Sequence, residues 1–397
     1  MAASPSRDRS LRGLYALQGA AGATFLPFYV LLLRDRGLGA DEIGLVLAVG
    51  SLASVAIAPY WGHAGDVRFG TVRTLQIACL GACVAAVLLL GAGSSFLAIA
   101  GVGLLLGAMQ SPHSALTNSL TLRELGPERV TEFGAFRLWA SIGWGVSIIA
   151  FGAVLQATGV GLAPALYVPG LLALALYVRR FPRIPPDAVQ EIISRFGAVG
   201  DALRTAPAFA LYLVGVLVVA ISTHASWDFV PLRIESGGGG PFLVGLAGGV
   251  SAFVEIPLMR GSSRLIDRFG VRSVYLVGMA IYVGTAVAWT IWDGANAVAL
   301  IWVATGFGFG LAYVTAVVMT ERLVPDHLRN SGQALLATVM YGLAPIIGTA
   351  AGGWVYANVG PERLFAGSAV GIALGAAIVA YAVRSIARPA RAGVTTG

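Results

Sequence analysis

Gly62-His-Ala-Gly-Asp66-Val-Arg68-Phe-Gly70 stands between two apolar segments, and Ser263-Arg-Leu-Ile-Asp267-Arg268-Phe-Gly270-Val-Arg272 stands in the same kind of place about 200 residues later. The chain has 397 residues, so the two turns are half a chain length apart. An acidic residue, an arginine and a glycine at a turn between long apolar stretches, met twice at that spacing, point to an internal repeat. The chain is expected to be an all-α membrane protein of two pseudo-symmetric six-helix bundles. The first bundle covers residues 1–178, an inter-half loop covers 179–206 and the second bundle covers 207–397.

Outward from these turns, composition supports the same reading. Hydrophobic residues make up 57% and charged residues 11%, with a mean hydropathy of +0.80. A soluble domain carries about 25% charge, so lipid is the solvent for most of this chain. Twelve stretches are long and apolar enough to cross a hydrocarbon core of about 30 Å as helices. They run Leu11–Leu33, Glu42–Trp61, Thr74–Gly91, Phe96–Leu120, Phe133–Gln156 and Gly161–Val178, then Ala208–Pro231, Phe242–Met259, Val271–Trp292, Ala297–Thr320, Ser331–Tyr356 and Leu364–Val383.

All 26 basic side chains are arginine, and 21 of them fall in the termini and the loops that share their side. The opposite loops hold four: Arg34, Arg36, Arg233 and Arg363. By the positive-inside rule both termini are cytoplasmic. The net charge of +7 then faces anionic inner-leaflet lipid and needs no nucleic-acid partner. The first apolar stretch is too long for a signal-peptide core and is expected to stay in the mature protein. Cys79 and Cys83, four apart on one helical face, are expected to pack rather than to bridge. The long linker from Arg179 to Ala206 begins with a proline-rich run, and its stretch from Asp187 to Leu203 is expected to lie along the membrane surface as an amphipathic segment.

The repeated turn resembles the loop joining the second and third spans in each half of a major facilitator superfamily transporter. The resemblance implies that Gly62, Asp66, Arg68 and Gly70, with Asp267, Arg268, Gly270 and Arg272, latch one conformation. Physically, Asp66 near a helix end is placed to cap a neighbouring helix start and to pair with arginines across the gap. The copies differ, since Val67 is an extra residue in the first and Ser263 replaces the usual glycine in the second. The second latch is therefore expected to be the weaker. Small-residue runs such as Gly348-Thr-Ala-Ala-Gly352 and Thr305-Gly-Phe-Gly-Phe-Gly310 are expected to let helix backbones pack closely.

Ionisable groups in a span are costly and face a cavity or a partner. Here they are His113 with the amide Asn118 in span four, Arg137 in span five, His224 and Asp228 in span seven, and Glu255 in span eight. The stretch Glu132-Phe-Gly-Ala-Phe-Arg137-Leu-Trp139-Ala-Ser-Ile-Gly143-Trp144 resembles the fifth span of the lactose permease and phenylpropionate permease branches of the superfamily. In the sugar permeases the matching arginine holds substrate together with a span-four carboxylate, and the tryptophan seven residues on stacks against the sugar. Arg137 and Trp144 stand at those positions. Asn118 and Ser119 stand where the acid would fall, and span ten has neither the histidine nor the acid of the sugar permeases. Thr223-His224-Ala-Ser-Trp227-Asp228-Phe229 and Val254-Glu255-Ile-Pro257 resemble the phenylpropionate branch, so the resemblance leans there.

Independently of any resemblance, helical rise places Arg137 roughly 10 Å and Glu255 roughly 6 Å to the cytoplasmic side of the midplane. Either the two pair across the halves, directly or through water, or Glu255 packs locally against Arg260. His224 and Asp228 share a helical face, which suits proton capture from outside; alternatively Asp228 pairs with Arg233. His63 and His113 are expected to satisfy local hydrogen bonds.

The expected function is secondary active transport of a small organic solute, coupled to protons and working by alternating access. Arg137 suits a carboxylate and Trp139, Trp144 and Trp227 offer aromatic surface, so an aromatic or other organic acid is the first candidate. Sugars or nucleosides come second and efflux of amphipathic compounds third. Asn118 joins the substrate site, while Glu255, His224 and Asp228 are the candidates for proton coupling. No His-Glu-x-x-His, Gly-x-Ser-x-Gly or lysine-bearing phosphate loop is present, so an enzyme is not expected. No cofactor or metal is expected, and the protein is expected to be a monomer in the cytoplasmic membrane.

Overall fold

Twelve helical spans are present in a computed structural model that describes residues 5–182, 206–325 and 328–384. They are Ser6–Asp35, Ala40–Arg68, Thr71–Gly91, Phe96–Leu125, Phe133–Thr158, Val160–Arg180, Pro207–Ser236, Pro241–Phe269, Val271–Ile291, Ala295–Leu323, Ser331–Asn358 and Pro361–Ala382. Each coincides with an expected stretch, and half run a turn or more further because their polar ends stay helical beyond the apolar core. The expected amphipathic segment, Asp187 to Leu203, lies outside the described residues.

Span five packs on spans one and eight, span two on spans four and eleven, and span seven on spans eleven and twelve. Small residues set these distances. A Cβ on Gly152 of span five would stand 2.8 Å from the Pro241 carbonyl oxygen of span eight, and one on Gly352 of span eleven 2.6 Å from that of Ala225 in span seven. Without a hydrophobic drive between helices in lipid, such close backbone approach is what holds spans together. The expectation for the Gly348 to Gly352 and Thr305 to Gly310 runs is met in this way. Gly348 lies against Ile221 and His224, and Gly310 against Leu258 and Glu255. Cys79 and Cys83 are buried and unbridged.

Both acid-arginine-glycine turns end in the same backbone state. Gly70 has φ 76° and ψ 156°, Gly270 has φ 80° and ψ 148°, and each starts the next span. A side chain is strained at such φ, so glycine is required at both. The extra residue of the first copy is absorbed as a π-helical turn, Ala64–Arg68, whereas the second copy stays α-helical to Phe269. That wider turn aims Asp66 sideways. The expected pairing with an arginine across the gap is made, to Arg123 of span four at 3.1 Å, while the helix starting at Thr71 has no side-chain cap. Asp267 makes no ion pair among the described residues.

The end of the bundle that carries the amino terminus is tied within the first six spans by ion pairs Arg7–Glu124, Arg123–Asp66 and Arg129–Asp8. At the opposite end the first six spans meet the last six. The short helix Tyr29–Asp35 packs on Val230–Ser236, and the Phe242 amide donates to Gln156 at 3.3 Å.

Proline breaks several spans near the middle of the bundle. Span four changes from Phe96–Gln110 to Pro112–Leu125 at Ser111, and span eleven carries a π-helical turn, Val339–Leu343, just before Pro345. A proline removes a backbone donor and crowds the preceding turn, so the helix re-forms with a shifted register. His113 and Tyr341 lie at these two breaks.

Candidate functional site

A cavity of about 540 Å³ lies between the first six and the last six spans. Arg137, Trp144 and Asn118 reach it from the first set, and Trp227 and Glu255 from the second. With His113, the structure thus gathers six residues singled out in the sequence from spans four, five, seven and eight. Trp139 is not on this lining and is about a third exposed. Two residues past Arg137 turn the helix by roughly 200°, which carries its side chain to another face.

Arg137 and Glu255, expected to pair directly or through water or else to leave Glu255 against Arg260, make no direct ion pair with each other among the described residues. Arg137 donates from Nη1 to the Tyr313 hydroxyl of span ten at 2.8 Å, and Glu255 accepts from the Ser141 hydroxyl at 3.0 Å. Ser141 is one helical turn beyond Arg137 on the same face. The carboxylate therefore meets span five a turn away from the guanidinium, and each charge takes a neutral partner. The alternative contact of Glu255 with Arg260 is likewise not among the described ion pairs.

The other polar groups of the cavity are amides, hydroxyls and one imidazole. Asn118 accepts from the Tyr15 hydroxyl at 2.8 Å, and Gln110 donates to that of Tyr167 at 2.9 Å. Gln18, Ser114, Ser251 and Thr305 also face it. His113 lines the cavity with its Nε2 buried and without a hydrogen-bond partner, while its ring meets the backbone of Ala78, so the expected local satisfaction is half met. Trp144, Trp227 and Trp302 supply flat apolar surface.

His224 and Asp228 lie outside this cavity. They face a smaller one within the last six spans and bond to each other at 3.1 Å, Nδ1 to Oδ2. The alternative partner of Asp228 is engaged elsewhere, because Arg233 binds Glu362 at 2.8 Å.

Sequence reasoning missed Tyr313, Ser141 and Tyr15, which hold the three polar residues it found. A hydroxyl in an apolar span carries no charge penalty and so leaves no mark in the pattern. The one available signal is the aromatic pair Phe309 and Tyr313 four residues apart in the glycine-rich span ten, whose rings stack at 5.6 Å.

The family model described as the MFS_1 like family matches residues 9–366. Over 339 residues the chain is 30% identical to the maltose permease of Geobacillus stearothermophilus, covering 85% of this chain and 84% of that one. It is 21% identical over 359 residues to the uncharacterized transporter YwbF of Bacillus subtilis (strain 168), covering 87% and 86%. The crystal structure of the nucleoside transporter NupG superposes with a TM-score of 0.80 at 18% identity, covering 95% of this chain and 99% of that one, and so shares its fold. A twelve-span chain with a central polar cavity, matched over nearly its whole length, belongs to the MFS_1-like family of the major facilitator superfamily and is a multi-pass membrane transporter of small solutes.

Proposed function

We propose that this protein is a proton-coupled symporter that takes up a neutral, hydroxyl-rich ring solute, a sugar or a nucleoside, across the cytoplasmic membrane. One observation carries the reading. Arg137 and Glu255 line the same cavity and are bonded to neutral hydroxyls rather than to each other. A neutral polyol accepts from the arginine and hydrogen-bonds the carboxyl in its protonated form, which is donor and acceptor at once. A carboxylate drawn to Arg137 would also meet the Glu255 charge at low dielectric. The amides of Gln18, Gln110 and Asn118 extend the hydrogen-bonding surface, and Trp144 offers a face for a ring. The likeness to a maltose permease and to the fold of a nucleoside transporter supports the same class.

The arginine bias supports cytoplasmic termini. The cavity then opens inward, since the two sets of six spans close on each other at the far end. The halves, residues 1–178 and 207–397, rock about the cavity as a monomer embedded in lipid, with Asp66 and Arg123 stabilising one orientation. Glu255 is the coupling acid.

A second reading, uptake of an aromatic or other organic acid, is favoured by Arg137, whose hydrogen-bond partner is a phenol and not a carboxylate. Thermal stabilisation of the purified protein by sugars, nucleosides and organic acids separates the two, because a ligand of the folded state raises its stability. Stabilisation by sugars or nucleosides is expected. Stabilisation by organic acids alone would replace this reading with the second.

A further inference from the structure

A second cavity, of about 150 Å³, lies within the last six spans among spans seven, nine, ten and eleven. Trp227 and Phe309 border both this cavity and the central one, so they form the partition between them. Each is braced from the far side. Trp227 stands edge-on to Tyr282, with ring centroids 4.8 Å apart and planes at 88°, and Phe309 stacks on Tyr313 at 5.6 Å and 14°. Tyr275, Met279 and Tyr282 close the floor and are buried. The wall is therefore mostly aromatic, thioether and aliphatic surface, with a polar edge formed by Thr223 and the His224–Asp228 pair.

An apolar cavity of about 150 Å³ is the size that accepts one six-membered ring. Packed interiors leave few gaps of this size, because the lining atoms lose their dispersion contacts. This one adjoins the solute cavity, has flat aromatic walls that suit ring faces and keeps a hydrogen-bonding pair at its edge. Tyr313 joins the two spaces chemically, since its hydroxyl holds Arg137 while its ring lines the side cavity.

We propose that the side cavity is a subsite for a ring that extends from the group held at Arg137 and Glu255. Trp227 and Phe309 turn aside to admit it, and the His224–Asp228 pair hydrogen-bonds its polar edge. This rests on the neutral-ring reading for the ring's identity, and under that reading the solute has two rings: a disaccharide, or a nucleoside with its base in the side cavity. Aromatic walls and a single polar edge serve a nucleobase or a pyranose face alike.

The test uses the purified full-length protein and apparent Kd values from ligand-dependent thermal stabilisation, measured in matched pairs: maltose against glucose, uridine against ribose, and phenylpropionate against propionate. In whichever pair binds, the larger member is expected to bind at least tenfold more tightly. Ala220→Leu in span seven and Ala316→Leu in span ten each add bulk to the side cavity. Either is expected to remove that advantage and leave the smaller member's Kd unchanged. Equal affinity within the binding pair overturns the proposal, as does a folded filling variant that keeps full affinity for the larger member. The wild-type ratio decides the matter even if both variants fail to fold. Binding of the acid pair alone would overturn the neutral-ring reading, while its ratio would still decide the role of the side cavity.

Discussion

Arg137 of span five and Tyr313 of span ten meet between the first six and the last six spans, Nη1 to hydroxyl at 2.8 Å, with the guanidinium carbon 5.2 Å from the centroid of the same ring. A solute that recruits Arg137 must share the guanidinium with, or take it from, a side chain of span ten. Its planar fork serves a ring oxygen and Tyr313 together, which an ammonium on a flexible stem does not. Arg137→Lys is therefore expected to weaken solute binding by more than about tenfold, or roughly 1.4 kcal/mol. Tyr313→Phe should cost less, since the arginine remains. Unchanged affinity in Arg137→Lys, measured by ligand-dependent thermal shift, would assign the residue a purely structural role.

Close backbone contact between spans seven and eleven leads to a prediction for stability. Gly352 faces the Ala225 backbone so closely that even a Cβ would meet its Cα at 2.8 Å. Backbone atoms cannot swing aside as a side chain would, so Gly352→Val should destabilise the protein by about 1–3 kcal/mol. A lowered unfolding temperature in detergent is the expected result. An unchanged one would mean that the spans separate at no cost.

The twelve spans and the two turns were legible because lipid forces long apolar runs and because a glycine at positive φ is a backbone requirement that sequence records directly. Charged site residues were legible for the same reason: Arg137 and Glu255 stand out where charge is costly. Their pairing was not. A rise of 1.5 Å per residue placed them at neighbouring depths, but which neutral hydroxyl each side chain takes depends on rotation about the helix axis and on spans ten and five together. That Trp139 lies off the central lining depends on the same angular information, and the side cavity could not be foreseen because it arises where four separate spans leave a gap. The π-helical turn at Ala64–Arg68 shows the opposite case, a local irregularity announced by the extra residue Val67.

Outside the spans, Arg129 donates to Glu132 at 2.6 Å and to Asp8 at 3.0 Å. The hydrogen bond from Arg129 holds the Glu132 carboxyl below the usual carboxylate range. A depressed value in the folded state means that the contribution is complete above the unfolded value, about 4.3, and is lost as pH falls through the folded one. Unfolding temperature should thus decline on acidification below about pH 4, and Glu132→Gln should make that decline shallower. Both groups are partly in solvent, so the effect is small. Identical acid limbs in the two proteins would show that the pair adds nothing.

Asp66 and Asp267 stand in the two acid-arginine-glycine turns, yet of the two only Asp66 has an ion-pair partner among the described residues, Arg123. Exposed pairs contribute at most about 1 kcal/mol, too little to govern folding but enough to bias two conformations of similar energy. Asp66→Asn is expected to leave the unfolding temperature nearly unchanged while shifting the balance of inward-open and outward-open forms, read from distances between spin labels on the two halves. Asp267→Asn should shift it less. An equal or larger shift in Asp267→Asn would remove the π-helical turn as the cause of the asymmetry.

Under the proposed proton coupling, Glu255 is the coupling acid, with a serine hydroxyl and not a cation as its bonded partner. Arg137 lines the same cavity but is held by Tyr313, so neither charge is neutralised by direct contact. A neutral ring that displaces water from this cavity strips solvation from the carboxylate, and desolvation favours its protonated form. Solute and proton then assist each other's binding, as linkage requires of a symporter. Glu255→Gln mimics the protonated acid permanently. That variant is expected to keep solute exchange across proteoliposome membranes and to lose accumulation driven by a pH gradient. Full pH-driven accumulation in Glu255→Gln would exclude Glu255 as the coupling acid and pass that role to His224 and Asp228.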